Sequence, residues 1–274
     1  MDEMYGVARR VLLDALEALG EHRQAIIVVG AQALYLRTGE ADIAVSPYTT
    51  DGDLALDPAL LAEIPPLEQA LVSAQFDRHP DQVGVWVAHR PTAHHPELKV
   101  EVDLLVPASI SPGKGRRAAH LRGHAPAAAR IVRGLEGVVV DFDTLPIYAL
   151  EAEDSRIIHA KIAGPAALLV AKVHKIADRQ GTGRSRDKDA LDIFRLFRAV
   201  STEELAVRMA LLLADGRSRT TTQHGISLVR EQFHARGEGT RMTVRAVEGL
   251  MPEAEVRASL GYLVGDLLEC LDRV

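Results

Sequence analysis

The hydrophobic pattern of the chain changes near residue 163, and this change restricts the possible folds more than any other feature. Before it, apolar or alternating runs of strand length occur among helical stretches, whereas only helical patterns follow it. Strands are expected at 25–30, 53–57, 83–88, 98–106, 137–141 and 156–162. The sequence therefore predicts an α/β domain over residues 1–163 and a helical domain over residues 164–274.

Composition and charge exclude several classes of protein. The 274 residues include 32 Lys and Arg against 38 Asp and Glu, a net charge of −6, which excludes a polycation that coats nucleic acid but leaves room for a local basic patch. Aromatic residues make up only 4%, which argues against base stacking. The single cysteine, Cys270, excludes an intrachain disulfide. With an acidic start and no long apolar run, we expect a cytoplasmic protein without membrane contact.

The first candidate for chemistry is the turn at Gly30 and Ala31, between an apolar strand and a helix. Small residues at such a turn let a phosphate approach the backbone amides at the helix N-terminus, where the helix dipole favours an anion. A glycine between a strand and a helix also serves simply to make the turn. On its own the turn is therefore a weak indication of nucleotide binding.

The second candidate is the segment TTDGDLAL, residues 49–56. On a strand, residues two apart point to the same face, so Asp51 and Asp53 form a carboxylate pair while Leu54 and Leu56 enter the core. Such a pair repels itself unless a cation lies between, and Mg²⁺ prefers a sparse carboxylate site completed by substrate phosphates. The alternative is a solvated turn, because Asp-Gly is a common hairpin signal.

The third candidate is Asp103 in the alternating segment KVEVDLL. Lys99, Glu101 and Asp103 share one strand face, which is either a solvated polar face or a functional one. A carboxylate well along an apolar strand is costly to bury unless it is paired, protonated or bound to metal. A third carboxylate on a neighbouring strand would suit a two-metal phosphoryl-transfer site, as a metal ligand or as the base for an incoming hydroxyl.

A basic segment follows Asp103. No Asp or Glu occurs from Leu104 to Leu135. This segment is either a solvated loop or a contact for an RNA backbone, since each neutralised phosphate releases counterions. The residues proposed to contact RNA are Lys114, Arg116, Arg117 and Arg122.

Together, the glycine turn, the threonine-preceded DxD strand and the later strand aspartate resemble the nucleotidyltransferase fold of the DNA polymerase beta superfamily. LLVAKVHKIADRQ and RDKDALDI, within residues 168–193, are similar to the distal motif of AbiEii-type and MenT-like toxin nucleotidyltransferases. The alternative for this segment is the solvated charged face of an amphipathic helix. The resemblance covers roughly residues 25–193. It implies a mixed sheet flanked by helices, followed by a C-terminal helical domain.

The resemblance also implies a role for each matching residue. Asp51 and Asp53 would bind two Mg²⁺ or Mn²⁺ ions, and Asp103 would complete the metal site or act as base. Lys172 would hold the nucleotide phosphates, and Asp189 or Asp192 would be the distal motif carboxylate, with Asp192 assigned to the catalytic residues. Further nucleotide-binding positions implied by the match are Gly30, Ala31, Thr49, Thr50, Arg179 and Asp189.

The implied function is transfer of a nucleotide from an NTP to an acceptor hydroxyl. By resemblance the acceptor is tRNA or another RNA, and the protein is the toxin of an AbiE-like system with a cognate antitoxin; no recognition of DNA sequence is expected. One alternative is a small-molecule acceptor, as in aminoglycoside nucleotidyltransferases. Another is a non-catalytic binding protein of the same fold, which Ala31 favours because the family usually has Gly or Ser there.

Overall fold

The computed structural model describes residues 3–39, 49–112, 117–181 and 187–273. The chain divides into two compact units, each of which is discontinuous in sequence. The first comprises the described parts of residues 1–33, 47–132 and 142–163, and the second those of residues 34–46, 133–141 and 164–274. A mixed α/β architecture with a C-terminal helical region was predicted and is confirmed.

The first unit is built on a mixed sheet, whose strands are β1 (Ile26–Val29), β2 (Asp51–Leu56), β3 (Phe76–Arg78), β4 (Val85–His89), β5 (Lys99–Pro107), β6 (Arg130–Val132), β7 (Phe142–Tyr148) and β8 (Ile157–Ala163). The order is β3-β4-β5-β2-β1-β8-β7, with β6 paired to β5 outside this path. Helix α1 (Glu3–Ala18) packs on β2 and β5, and α3 (Leu67–Ser73) precedes β3. Helix α2 (Gly30–Thr38) begins directly at the end of β1.

The centre of this sheet separates apolar from acidic side chains. Leu54 and Leu56 of β2 are fully buried, as their alternation predicts, and so are Val102 and Leu104 of β5. The intervening positions are Asp51 and Asp53 on β2 and Lys99, Glu101 and Asp103 on β5, and all of these side chains remain at least partly accessible. The apolar face therefore fixes the register, and the register fixes the position of the acidic face.

One predicted strand is wrong. The apolar run at 137–141 does not pair in the sheet: Glu136–Val139 form a 3₁₀ turn, and β7 starts at Phe142. The turn places the Asp141 carboxylate to accept a hydrogen bond from Ala167 N at 2.9 Å, near the start of a helix. A short apolar run cannot be assigned to strand or helix from periodicity alone, and here the run forms a turn that is followed by the contact of Asp141 with Ala167.

The second unit contains α4 (Pro165–Arg179), α5 (Asp187–Ala199), α6 (Thr202–Ala214), α7 (Arg219–Gln232), α8 (Glu238–Ala246) and α9 (Glu253–Leu271). Helix α4 begins at Pro165, because proline suits the first helical turn, and it ends at Arg179. Ser201 caps α6 by accepting a hydrogen bond from Glu204 N at 3.2 Å. Among the helices of the described segments, none has both the length and the apolarity needed to cross a membrane.

Candidate functional site

Four carboxylates share one face of the two central strands of the first unit. Asp51 and Asp53 lie two residues apart on β2. The parallel register pairs Asp51 with Glu101 and Asp53 with Asp103 on β5. Paired residues of neighbouring strands point to the same side of a sheet, so the β5 carboxylates flank the β2 pair. We call Asp51, Asp53, Glu101 and Asp103 the carboxylate face.

The glycine turn lies directly against this face. Val29, the last residue of β1, pairs with Asp53 in the antiparallel register. Gly30 follows with a φ of +69°, and a Cβ added to it would lie 1.9 Å from Asp53 Oδ2. Both the backbone conformation and the space therefore require glycine at position 30. Ala31, the next residue of α2, is buried.

The threonines before β2 differ in their environment. Thr49 is buried, and its hydroxyl donates a short hydrogen bond to Asp51 Oδ1. Thr50 is half-buried in the bend that precedes the strand. The hydroxyl of Thr49 therefore holds one carboxylate oxygen of Asp51.

Asp103 is already engaged in an ion pair. Its Oδ2 accepts a short hydrogen bond from the Arg130 guanidinium, and the two side chains are 17% and 37% exposed. Arg130 comes from β6, which pairs with β5 next to Asp103. The arginine neutralises this carboxylate, so a metal ion or a substrate hydroxyl at Asp103 would compete with Arg130.

The donor chemistry of Asp51 and Asp53 fits a hard divalent cation. Mg²⁺ is usually held by one or two carboxylates and completes its octahedron with water and substrate phosphates. Within the described parts of the chain, no three His, Cys, Asp or Glu side chains form a group that could hold a metal ion. The fit to Mg²⁺ or Mn²⁺ therefore rests on the Asp51 and Asp53 pair rather than on a triad.

The predicted RNA contacts are only partly covered by the structure. Lys114 and Arg116 lie outside the described residues. Arg117 is exposed, and the Arg122 side chain is 86% exposed and pairs with Glu63 at 3.0 Å. The charge of Arg122 is therefore partly balanced by Glu63.

The second unit contains the distal residues of the predicted motif. Lys172 of α4 is 5% exposed, and its Nζ lies 2.6 Å from Asp192 Oδ2 and 3.2 Å from Asp189 Oδ1 of α5. Arg179, two turns further along α4, contacts Asp189 Oδ2 at 3.1 Å. Lys175 also approaches Asp189, at 3.2 Å. We call these five residues the buried lysine cluster.

Electrostatics in this cluster favour the charged forms. Burial lowers the pKa of Lys172, but attraction to Asp192 and Asp189 outweighs burial and leaves that pKa above its ordinary value. Burial raises the pKa of Asp189, yet Lys172, Lys175 and Arg179 together lower it to about 2. Asp192 Oδ1 is buried and has no hydrogen-bond partner among the described residues. One acceptor at the centre of the cluster is therefore unused.

Two contributors to the carboxylate face were not singled out from the sequence. Glu101 was recognised only as a neighbour of Asp103 on the same strand face, since its position beside Asp51 depends on the β2–β5 register. Arg130 falls within the basic segment, and its pairing with Asp103 could not be predicted because β6 has three residues and gives no periodic signal. The one signal in the sequence is that no acidic residue lies close to Arg130, so its ion-pair partner must come from a more distant segment.

Comparison of the chain with models of known families, with curated proteins and with solved structures found no match.

Proposed function

We propose that the chain is a divalent-metal-dependent nucleotidyltransferase that uses Asp51 and Asp53 to hold Mg²⁺ or Mn²⁺. The main support is the juxtaposition of the Gly30 turn with Asp53, beside the carboxylates of the neighbouring strand β5. A strand-to-helix turn against a carboxylate pair brings amides that favour an anion next to groups that favour a cation. An NTP with its bound cation requires both.

The proposed reaction is an in-line displacement at the α-phosphorus of the NTP. The acceptor oxygen forms the new P–O bond, and the bond from the α-phosphorus to its bridging oxygen breaks, so that pyrophosphate leaves with the electron pair. The hydroxyl proton passes to a carboxylate, for which Asp103 is the candidate once Arg130 releases it. A bound divalent cation would neutralise charge on the phosphates during transfer.

The resemblance extends this proposal to Lys172, Asp192 and the biological role. It assigns Lys172 to the nucleotide phosphates and Asp192 to the same reaction. It also suggests tRNA or another RNA as acceptor and a cytoplasmic toxin restrained by an antitoxin. The stretch without acidic residues from Leu104 to Leu135 supports an acceptor with a phosphate backbone.

The test is incubation with each α-labelled NTP, Mg²⁺ and total tRNA. Wild type should transfer label to RNA, and Asp51→Ala should not. Asp77→Asn is the matched control, because Asp77 is a strand carboxylate of the same unit but is 79% exposed and lies on β3, away from the carboxylate face. Label transfer that is absent, or equal in wild type and Asp51→Ala, would refute the proposal.

A second candidate is a non-catalytic member of the same fold that binds a partner. The ion pair between Arg130 and Asp103 favours it, because this contact neutralises one carboxylate of the face. Calorimetry with Mg²⁺ and NTPs separates the two candidates: the proposed enzyme binds both, and Asp51→Ala weakens that binding, whereas the binding protein takes up neither.

A further inference from the structure

A buried arginine lies close behind the proposed metal-binding strand and has no role in the proposed reaction. Arg9, on α1, is 4% exposed. Its partners among the described residues are Gln32 Oε1 at 2.8 Å, the Tyr148 carbonyl at 3.0 Å and the Tyr5 hydroxyl at 2.9 Å, and none of them is a carboxylate. Burying a guanidinium without an opposite charge is costly. The cost indicates that the contacts of Arg9 serve a specific purpose.

The contact with Gln32 fixes the orientation of that side chain. A guanidinium offers only donors, so the Gln32 amide must turn its oxygen toward Arg9 and its nitrogen away. Gln32 Nε2 then donates to Ala8 O at 3.0 Å and to Asp51 O at 3.4 Å. Arg9 thus determines which end of the Gln32 amide faces Asp51.

Asp51 is consequently held at two points. Gln32 binds its backbone carbonyl, and the Thr49 hydroxyl binds its carboxylate. Asp51 is the first residue of β2, where the regular pairing of the sheet begins. A strand end held by only one side of the sheet would move more freely than the middle of the strand.

We propose that Arg9 and Gln32 are positioning residues, which orient Asp51 for the divalent cation through the chain of contacts Arg9, Gln32 and Asp51 O. The inference rests on the proposed function, since it concerns the same metal-binding pair. Outer contacts that orient metal ligands typically change metal affinity or activity about 10–100-fold. The contacts of Gln32 should therefore affect metal binding without any direct contact to the metal.

The experiment measures Mn²⁺ affinity of the full chain from the signal of free Mn²⁺ in electron paramagnetic resonance. Gln32→Met should weaken binding about tenfold. Gln232→Met is the matched control, because Gln232 is also a buried helical glutamine that donates to a backbone carbonyl, at Val173, but it belongs to the second unit. We expect wild-type Mn²⁺ affinity from this control.

A second variant protects the test against simple misfolding. Gln32→Glu keeps an acceptor for Arg9 and gives the guanidinium a carboxylate as its opposite charge, so the variant should fold. It loses the amide donor to Asp51 O. Added negative charge alone would strengthen Mn²⁺ binding, whereas loss of positioning weakens it. We expect weaker binding and a higher KM for Mg²⁺ with a smaller change in kcat.

The outcomes separate this inference from the proposed function. If Gln32→Met binds Mn²⁺ with wild-type affinity, or Gln32→Glu binds it more tightly, the positioning role is refuted but the metal site is not. If wild type binds no Mn²⁺, and Asp51→Asn behaves identically, both the metal site and the positioning role are refuted. In the Asp51→Asn background, Gln32→Met should cause no further loss.

Discussion

Replacing Gly30 by alanine tests the contact between the glycine turn and the carboxylate face. A non-glycine residue in the left-handed region costs roughly 1–2 kcal/mol. At Gly30 the new Cβ would also lie 1.9 Å from Asp53 Oδ2 and 2.7 Å from Asp53 Cγ, so the carboxylate must rotate away. An off-rotamer side chain costs about 0.5–1.5 kcal/mol. Gly30→Ala should therefore lower the free energy of unfolding by about 1.5–3.5 kcal/mol.

Gly249 provides the matched control. It has a φ of +77°, and a Cβ added there would meet nothing within 4 Å, so Gly249→Ala should cost only the backbone strain of about 1–2 kcal/mol. Urea denaturation measures both variants. In an Asp53→Ala background the clashing carboxylate is gone, and the excess cost of Gly30→Ala over Gly249→Ala, about 0.5–1.5 kcal/mol in the wild type, should fall to near zero. An excess that is absent in wild type, or unchanged without the Asp53 carboxylate, would refute the contact.

Three further predictions concern the buried lysine cluster and the basic segment. Lys172→Met leaves two buried carboxylates without their central cation and should lower the free energy of unfolding, measured in urea, by about 3–5 kcal/mol. Lys175→Met removes a 42% exposed partner of Asp189 and should lower it by less than about 1 kcal/mol. Equal losses in the two variants would contradict the argument from burial. Because the pKa of Asp189 is lowered from its ordinary 3.8 to about 2, its ionised form stabilises the fold above about pH 4, and this contribution is lost as the pH falls toward 2. Asp189→Asn should flatten the stability profile across that interval, and an unchanged profile would assign the acid transition to other groups. Arg116→Glu with Arg117→Glu should abolish RNA labelling, and unaffected labelling would favour a small acceptor.

Local signals predicted part of the fold accurately. Helix α4 follows from Pro165 at its start and from apolar residues at helical spacing up to Arg179. The strand and turn at Gly30 follow from a β-branched run that ends in glycine. In both cases the information lies within one element, where propensity and periodicity act directly. The 3₁₀ turn at Glu136–Val139 shows the limit, because its conformation depends on packing and on residues distant in sequence, such as Ala167, which Asp141 contacts.

The composition of the candidate site depends on longer-range pairing. The sequence identified Asp51, Asp53 and Asp103 as separate strand positions, but only the parallel pairing of β2 with β5 places Asp53 beside Asp103. Strand order is set by the whole sheet, so no local pattern contains it. Arg9 is a second example. From the sequence, a charged residue on α1 is expected to be solvated, and only the structure shows its contacts with Gln32 and Tyr148.

The central claim is that the chain transfers the α-phosphorus of an NTP with a cation held by Asp51 and Asp53. The most direct measurement compares α-labelled with γ-labelled NTP in the presence of Mg²⁺ and RNA, using wild type and Asp53→Asn. We predict α-label in the acceptor and γ-label in pyrophosphate for wild type, and neither for the variant. Transfer of γ-label to the acceptor, or α-label transfer that persists in Asp53→Asn, would contradict the account.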